Sequence, residues 1–165
     1  MRWIWIDKFT RFEPRHRAIA IKNVSLAEEH LHDLYPAFPI MPHSLIIEGT
    51  AQTAGILVGE ARNFSEKVIL AKIGKATFHR LVRPGDTITY DATIEQLNET
   101  GASIVAKVTV GDPSLGENLV AEIELMFSHI DQNMSGIKFP EHNFVFTEQF
   151  TELLKSFRVD KPVTI

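Results

Sequence analysis

The sequence predicts an α+β fold, in which a bent antiparallel β-sheet wraps round one long central helix. Residues 43–62 are apolar almost all round, which is typical of a helix buried on most sides. From residue 68 onwards, apolar and polar residues alternate with period two between turn signals, which is the pattern of antiparallel strands. A chain of 165 residues is long enough for one core and too short for two ordinary domains.

Composition narrows the class of protein. Hydrophobic residues make up 44% of the chain and charged residues 23%, close to ordinary globular usage. The absence of cysteine excludes a disulfide framework, a thiolate metal site and a cysteine nucleophile. It also fits a reducing compartment, and we expect a cytoplasmic protein. The formal net charge of −4 argues against a surface built for nucleic acid or anionic lipid.

No segment is expected to enter a membrane. The longest apolar stretch, residues 45–61, contains Glu48, Gln52 and Glu60, and polar groups of this kind are costly in lipid. We therefore interpret it as a buried helix. The N-terminus reaches Asp7 before the apolar core of a signal peptide could form.

The first forty residues are predicted to hold two short strands and a loop. Residues 3–6 alternate, with the two tryptophans on one face and the two isoleucines on the other, and a second strand is predicted at residues 16–24. From residue 25 to 41 no period holds. Because Pro36, Pro39 and Pro42 break any helix in this region, we predict an irregular loop.

The long helix is predicted to run from residue 43 to residue 62. Pro42 suits its start, because the missing N–H of proline would have no partner there. The helix contains Gly49, Gly55 and Gly59, and each glycine costs about 1 kcal/mol of helix stability relative to alanine. We predict that these glycines allow the sheet to come very close.

The remaining core is predicted to consist of strands at residues 68–79, 87–97, 103–111 and 119–128. Residues 83–86, Arg-Pro-Gly-Asp, have proline and glycine in the order that a type II turn requires, and residues 98–101 are predicted to close a hairpin.

The tail differs in character from the core. Residues 147–157 have apolar side chains on one face and are predicted to form a short amphipathic helix. We assign residues 1–130 to the core domain and residues 131–165 to a C-terminal extension with a short helix.

Two blocks of sequence carry recognisable motifs. The first contains Asn23-Val24, Pro36, Pro39-Ile40-Met41-Pro42, Leu45-Ile46-Ile47-Glu48 and Ala51-Gln52. The second contains Ile73-Gly74-Lys75-Ala76-Thr77-Phe78, Arg80 and Arg83-Pro84-Gly85-Asp86. Together with Ile6-Asp7-Lys8, these motifs resemble the β-hydroxyacyl-ACP dehydratases, the FabZ- and FabA-like proteins of fatty acid synthesis, over residues 3–129. The resemblance implies the hot-dog fold.

The resemblance implies removal of water from a 3-hydroxyacyl thioester on acyl carrier protein. Such a reaction needs a base, an acid and a group that stabilises the enolate oxygen. In the family, a histidine and an acidic residue from two subunits transfer the protons, and a backbone amide at the start of the buried helix holds the carbonyl. The acidic residue carries over to Glu48, and the helix-start amide to His43, where the family has glycine. We assign substrate contacts to His43, Pro42, Phe38 and Phe78.

The family histidine does not carry over, because its position is occupied by Leu34. Leucine cannot transfer a proton, and loss of a general base typically costs about 10²–10⁴ in rate. His43 is the leading replacement, paired with Glu48 of the other subunit, and His32 is an alternative base. His30 stands where the family has an aromatic residue, so packing is its expected role. No third ligand accompanies His30 and His32 at a convincing spacing, so we expect no metal, and we expect no cofactor.

Three functions stay open at this point. The first is a dehydratase that acts on 3-hydroxyacyl chains with Glu48 and His43. The second is a non-catalytic acyl-ACP-binding protein or partner subunit, which Leu34 favours. The third is a hot-dog thioesterase, in which Glu48 activates water.

The expected partners follow from the same resemblance. The substrate is a thioester of acyl carrier protein or of coenzyme A, and the chain is expected to form a homodimer or a trimer of dimers. Four basic residues are expected either to contact the acidic carrier or to form a solvated edge, namely Lys72, Lys75, Arg80 and Arg83.

Overall fold

The computed structural model describes residues 3–111, 118–130 and 152–156 and confirms the α+β class. In chain order, the elements are β1 (Lys8–Glu13), β2 (Arg17–Asn23), α1 (Glu29–Asp33), α2 (His43–Glu60), β3 (Lys67–Phe78), β4 (Thr87–Leu97), β5 (Gly101–Val110) and β6 (Leu119–Ile130). A helical turn at 152–156 follows. The six strands form one sheet in the order β1-β2-β4-β5-β6-β3, and every neighbouring pair is antiparallel.

Helix α2 lies against one face of the sheet and contacts strands β2 to β6. The strands alternate as the sequence predicts: on β4, the side chains of Ile88, Tyr90 and Ala92 face the helix and are fully buried. Shifts of register interrupt β1, β3 and β4. Such bulges bend a strand and increase its twist, which lets the sheet curl round the helix.

The predicted close approach of helix and sheet is confirmed at Gly49. A Cβ atom at this position would lie 2.5 Å from both Cζ and Oη of Tyr90, nearer than real Cβ contacts come. At Gly55, a Cβ atom would lie 3.5 Å from the Phe127 ring, which is ordinary contact. Only Gly49 of these two therefore serves the close approach.

The predicted turns form where expected. The Asp86 N–H donates to the Arg83 carbonyl over 3.0 Å, and Gly85 has φ +94°, as the third residue of a type II turn requires. The Gly85 N–H donates to the Val24 carbonyl over 2.9 Å, so the turn is tied to the end of β2. The Asn98 N–H donates to the Gly101 carbonyl over 3.0 Å and closes the β4–β5 hairpin.

Two predictions for the first forty residues are wrong. Residues 3–6 are not a strand, and the first strand is β1. Trp5 and Ile6 are both buried despite their alternation, because this segment hydrogen-bonds the side chain of Gln52 on α2. The region predicted as loop also contains the short helix α1, which is anchored by the single buried side chain of Leu31.

The helix that is predicted in the C-terminal tail is confirmed only in part. The described turn at 152–156 lies within the predicted helix, and Leu154 is buried in the main core with Leu153 packed beside it. The rest of the predicted helix and of the extension lies outside the described residues, so the domain boundary stays a prediction. Within the described part of the chain, no helix is long and apolar enough to cross a membrane.

Candidate active site

Glu48 lies on α2 with its side chain half-buried. Its Oε1 accepts a hydrogen bond of 2.9 Å from Nε2 of Gln52, one helical turn later. Residues four apart on a helix lie on the same face, which is why this pair meets. The carboxyl group is therefore held in one orientation at the edge of the core.

Gln52 connects this carboxyl group to the N-terminal segment. Its Oε1 accepts from the Trp5 N–H over 2.8 Å, and its Nε2 also donates to the Trp3 carbonyl over 3.0 Å. The side chain is buried, with 8% of its surface exposed. In the sequence, Gln52 is recognised only as part of a motif, and its i+4 spacing from Glu48 is the signal that could reveal this hydrogen bond.

The start of α2 presents an open backbone donor. Pro42 is the N-cap, and its carbonyl accepts from the N–H groups of Leu45 and Ile46 over 3.0 and 3.2 Å. The His43 N–H has no hydrogen-bond acceptor among the described residues. A free amide at a helix N-terminus suits developing negative charge on an oxygen atom.

The His43 ring stacks on Phe78 at the end of β3. The ring centroids are 3.9 Å apart and the planes are 5° from parallel. His43 is exposed and Phe78 is half-buried, so the stack lies at the surface of this protomer. Two of the predicted substrate-contacting residues are thus brought together.

The structure does not pair a histidine with Glu48 inside one protomer. Among the described residues, the hydrogen-bond partner of Glu48 is Gln52. His32 is exposed on α1. His30 packs edge-on against Trp5, with ring centroids 5.1 Å apart, in keeping with the packing role expected for it. The catalytic roles of Glu48, His43 and His32 stay predictions.

Leu34 ends α1 and lies on an exposed apolar surface. Its exposed fraction is 55%, and Tyr35 and Phe38 are similarly exposed. The Arg83 guanidinium lies over the Phe38 ring, 4.6 Å from its centroid, which is cation–π geometry. Apolar surface of this kind commonly marks a binding site or an interface.

The other three basic residues that are expected to contact the carrier or to form a solvated edge are also exposed, namely Lys72, Lys75 and Arg80.

The arrangement defines a hot-dog domain, with the half-buried carboxyl group of Glu48 on the central helix. A solved structure of the same fold, the dehydratase heterocomplex ApeI:P from Xenorhabdus doucetiae, superposes with a TM-score of 0.61 at 12% identity. The superposition covers 78% of this chain and 84% of that chain.

The particular family is given by sequence comparison. Residues 3–124 match the model of the FabA-like domain. A 3-hydroxyacyl-[acyl-carrier-protein] dehydratase FabZ from Clostridioides difficile is 35% identical over 79% of this chain and 89% of its own length. A protein of the same name from Caldanaerobacter subterraneus is 37% identical over 76% of this chain and 86% of its own length. The chain belongs to the FabA-like family.

Proposed function

We propose that the protein is a hydro-lyase that removes water from 3-hydroxyacyl thioesters on acyl carrier protein, and adds it back in reverse. The observation that carries this proposal is the Glu48 carboxyl group, which Gln52 holds in place on helix α2. The first amide of the same helix, the His43 N–H, has no acceptor among the described residues and can bind an oxygen atom. The names of the FabZ relatives support the same reaction.

The proposed chemistry assigns one task to each group. The His43 N–H at the helix start binds the thioester carbonyl and stabilises the enolate oxygen. A base removes the proton from C2, and Glu48 gives a proton to the hydroxyl on C3. The C3–O bond breaks, the C2–C3 double bond forms and water leaves. The His43 imidazole is the proposed base, with His32 as the alternative.

The geometry of one protomer favours a site that is shared between two. Glu48 and His43 are five residues apart, which puts them on different faces of α2. We therefore propose that His43 of one protomer acts with Glu48 of its partner in a homodimer, on its own or within a trimer of dimers. The β3 strand, at the edge of the sheet with Leu70 and Ile73 exposed, offers a surface for that association.

The acyl chain is proposed to lie between the protomers, against Pro42, Phe38 and Phe78. The exposure of Phe38 supports this placement, since an apolar ring at the surface gains from being covered. We place the reaction in the cytoplasm, in keeping with the cysteine-free sequence, and take acyl carrier protein as the carrier before coenzyme A.

A second function is favoured by Leu34. With leucine at the position of the family histidine, the chain is a candidate for a non-catalytic acyl-ACP-binding protein or for a partner subunit of an active homologue. The dehydratase heterocomplex of Xenorhabdus doucetiae has the same fold, so it is a reasonable comparison for the partner-subunit alternative.

One experiment separates these functions. Purified protein is given a 3-hydroxyacyl-ACP and, separately, a 2-enoyl-ACP, and enoyl absorbance and free thiol are followed together. Interconversion that is lost in Glu48→Gln but kept in Glu95→Gln, an exposed residue of β4, supports the dehydratase. Thiol release indicates a thioesterase, and binding without turnover indicates the non-catalytic protein. The same assay with coenzyme A thioesters tests the choice of carrier.

A further inference from the structure

Lys22 of β2 is a buried lysine that takes no part in the proposed reaction. Only 8% of its surface is exposed. Its Nζ donates to the Asn23 carbonyl over 2.8 Å, pairs with Oε1 of Glu28 and lies 3.8 Å from Oδ1 of Asp7. Burial of an ammonium group is costly, and removal of one member of a buried ion pair leaves the other charge uncompensated. Lys22 therefore holds the carboxyl group of Glu28 in place.

Glu28 connects Lys22 to helix α1. It is the N-cap residue of α1, and its backbone carbonyl accepts from the Leu31 N–H over 3.0 Å. Its second carboxyl oxygen lies 3.4 Å from Nε2 of His30. A helix of five residues with one buried side chain, that of Leu31, is too short to be stable by itself. The position of α1 therefore depends on its contacts with the rest of the protein, among them the ion pair of Glu28 with Lys22.

Trp5 connects α1 to the candidate active site. Its ring packs edge-on against His30, and its backbone N–H donates to Oε1 of Gln52 over 2.8 Å. Gln52 in turn donates to Glu48 over 2.9 Å. Trp5 and Gln52 are both buried, and packed interiors transmit displacements because they contain few voids. The contacts of Lys22 thus continue, through α1 and Trp5, to the carboxyl group of the site.

We propose that Lys22 is a positioning residue of the site: through Glu28, it holds α1 at the distance from Glu48 that acyl-thioester binding requires. The end of α1 carries His32 and Leu34, both of which are exposed. This assignment rests on the proposed function, since it places the exposed end of α1 against the acyl chain. Loss of Lys22 displaces this surface and leaves the hydrogen bond of Glu48 intact, so we expect substrate binding to suffer more than proton transfer.

Two substitutions remove the ion pair from either side. Lys22→Met keeps an apolar stem of similar length without the charge, and Glu28→Gln removes the negative charge at nearly unchanged shape. Each is expected to raise KM for 2-enoyl-ACP hydration about 10-fold, as loss of a hydrogen bond to a charged group does, with kcat lowered less than about 3-fold. Because both act through one pair, the KM of the double variant is expected to be no higher than that of Lys22→Met alone.

Lys8→Met and Glu29→Gln are the matched controls. Both residues are exposed, and each substitution is expected to change KM less than about 2-fold. A purely structural role of Lys22 would lower the folded fraction, and with it the apparent kcat, and would leave KM unchanged. Urea unfolding of each variant measures the folded fraction.

Hydrogen exchange, followed by mass spectrometry, tests the position of α1 without turnover. The backbone amides of residues 29–34 are expected to exchange about 10-fold faster in Lys22→Met than in the unchanged chain, because α1 opens more often when its ion pair is lost. The amides of α2 are expected to keep their rates.

Three results would overturn the proposal. They are an unchanged KM in folded Lys22→Met, exchange of residues 29–34 at the original rate, and additive effects of the two substitutions. If Lys22→Met does not fold, Glu28→Gln decides the outcome. Failure of the proposed function is seen separately, as absence of turnover in the unchanged chain. The Kd for 2-enoyl-ACP then takes the place of KM in the same comparison, and a chain that binds no 2-enoyl-ACP overturns both proposals.

Discussion

Both the oxygen and the nitrogen of the Gln52 side-chain amide form hydrogen bonds. It accepts from the Trp5 backbone, and it donates to the Trp3 carbonyl and to Glu48. One residue thus fixes the N-terminal segment on the central helix and orients the carboxyl group proposed for catalysis. A buried amide with these partners is costly to replace, because each partner left behind is a polar group without a hydrogen bond.

Replacing Gln52 by alanine is expected to lower both stability and turnover. The lost hydrogen bonds should reduce the free energy of unfolding by about 1–3 kcal/mol, measured by urea unfolding. The freed Glu48 should lower kcat for enoyl-ACP hydration more than it raises KM. Gln96→Ala, an exposed glutamine of β4, is the matched control. An unchanged kcat in a folded Gln52→Ala protein would remove the positioning role.

His30 is expected to make stability depend on pH. Burial is the largest effect on its pKa and lowers it, with Lys22 acting in the same direction and Glu28 opposing. The unfolded chain therefore binds a proton more readily than the folded one. The contribution of His30 is present above the unfolded pKa of about 6.5 and is lost as pH falls towards the lower folded pKa.

Urea unfolding from pH 7.5 to 5 measures this dependence. Over this range, the His30→Phe protein is expected to lose less stability than the unchanged chain, because a phenylalanine side chain cannot take up a proton. Subtracting the two curves removes the contributions of the other histidines. Parallel curves would mean that His30 does not contribute.

The distance between helix α2 and the sheet depends on one glycine, Gly49. Tyr90 of β4 lies directly against Gly49 of α2, and its hydroxyl is buried without a hydrogen-bond partner among the described residues. Burial raises the pKa of this hydroxyl, so Tyr90 stays neutral in the core. The helix–sheet distance in turn fixes where Glu48, the residue before Gly49, emerges at the surface.

Gly49→Ala and Gly55→Ala are expected to have opposite effects. At residue 49 the new methyl group collides with the Tyr90 ring, and overpacking of this kind costs about 1–3 kcal/mol. At residue 55 there is room, and alanine is a better helix former by about 1 kcal/mol. Thermal unfolding of the two variants checks this. Equal destabilisation would mean that Tyr90 gives way easily and that glycine is not required at residue 49.

For the whole molecule, periodicity was enough to predict the fold. The alternating strands and the all-apolar helix each need a covering partner, and only a sheet curled round the helix supplies both. The N-terminal segment was mispredicted because its backbone bonds go to a side chain of α2, a tertiary contact that local alternation cannot reveal. The candidate site is harder to predict, because Leu34 occupies the position of the family histidine and no local pattern identifies a base that would replace it.

Mixing two inactive variants tests whether the site is shared between protomers. In Glu48→Gln, the acid is removed; in His43→Phe, the base is removed while a ring remains on Phe78. If each site takes Glu48 from one protomer and His43 from the other, a mixed dimer contains one intact site of two. Random exchange should therefore restore about a quarter of the normal activity, since half of the dimers are mixed.

The same mixture gives no activity if Glu48 and His43 act within one protomer, because every site then lacks one of the two groups. Sedimentation of the unmixed proteins establishes that both variants still associate, so a failure to assemble cannot be mistaken for a site within one chain. A dimer that stays inactive on mixing would remove His43 of the other protomer as the partner of Glu48. His32 on the exposed α1 would then be the next residue to replace in the same design.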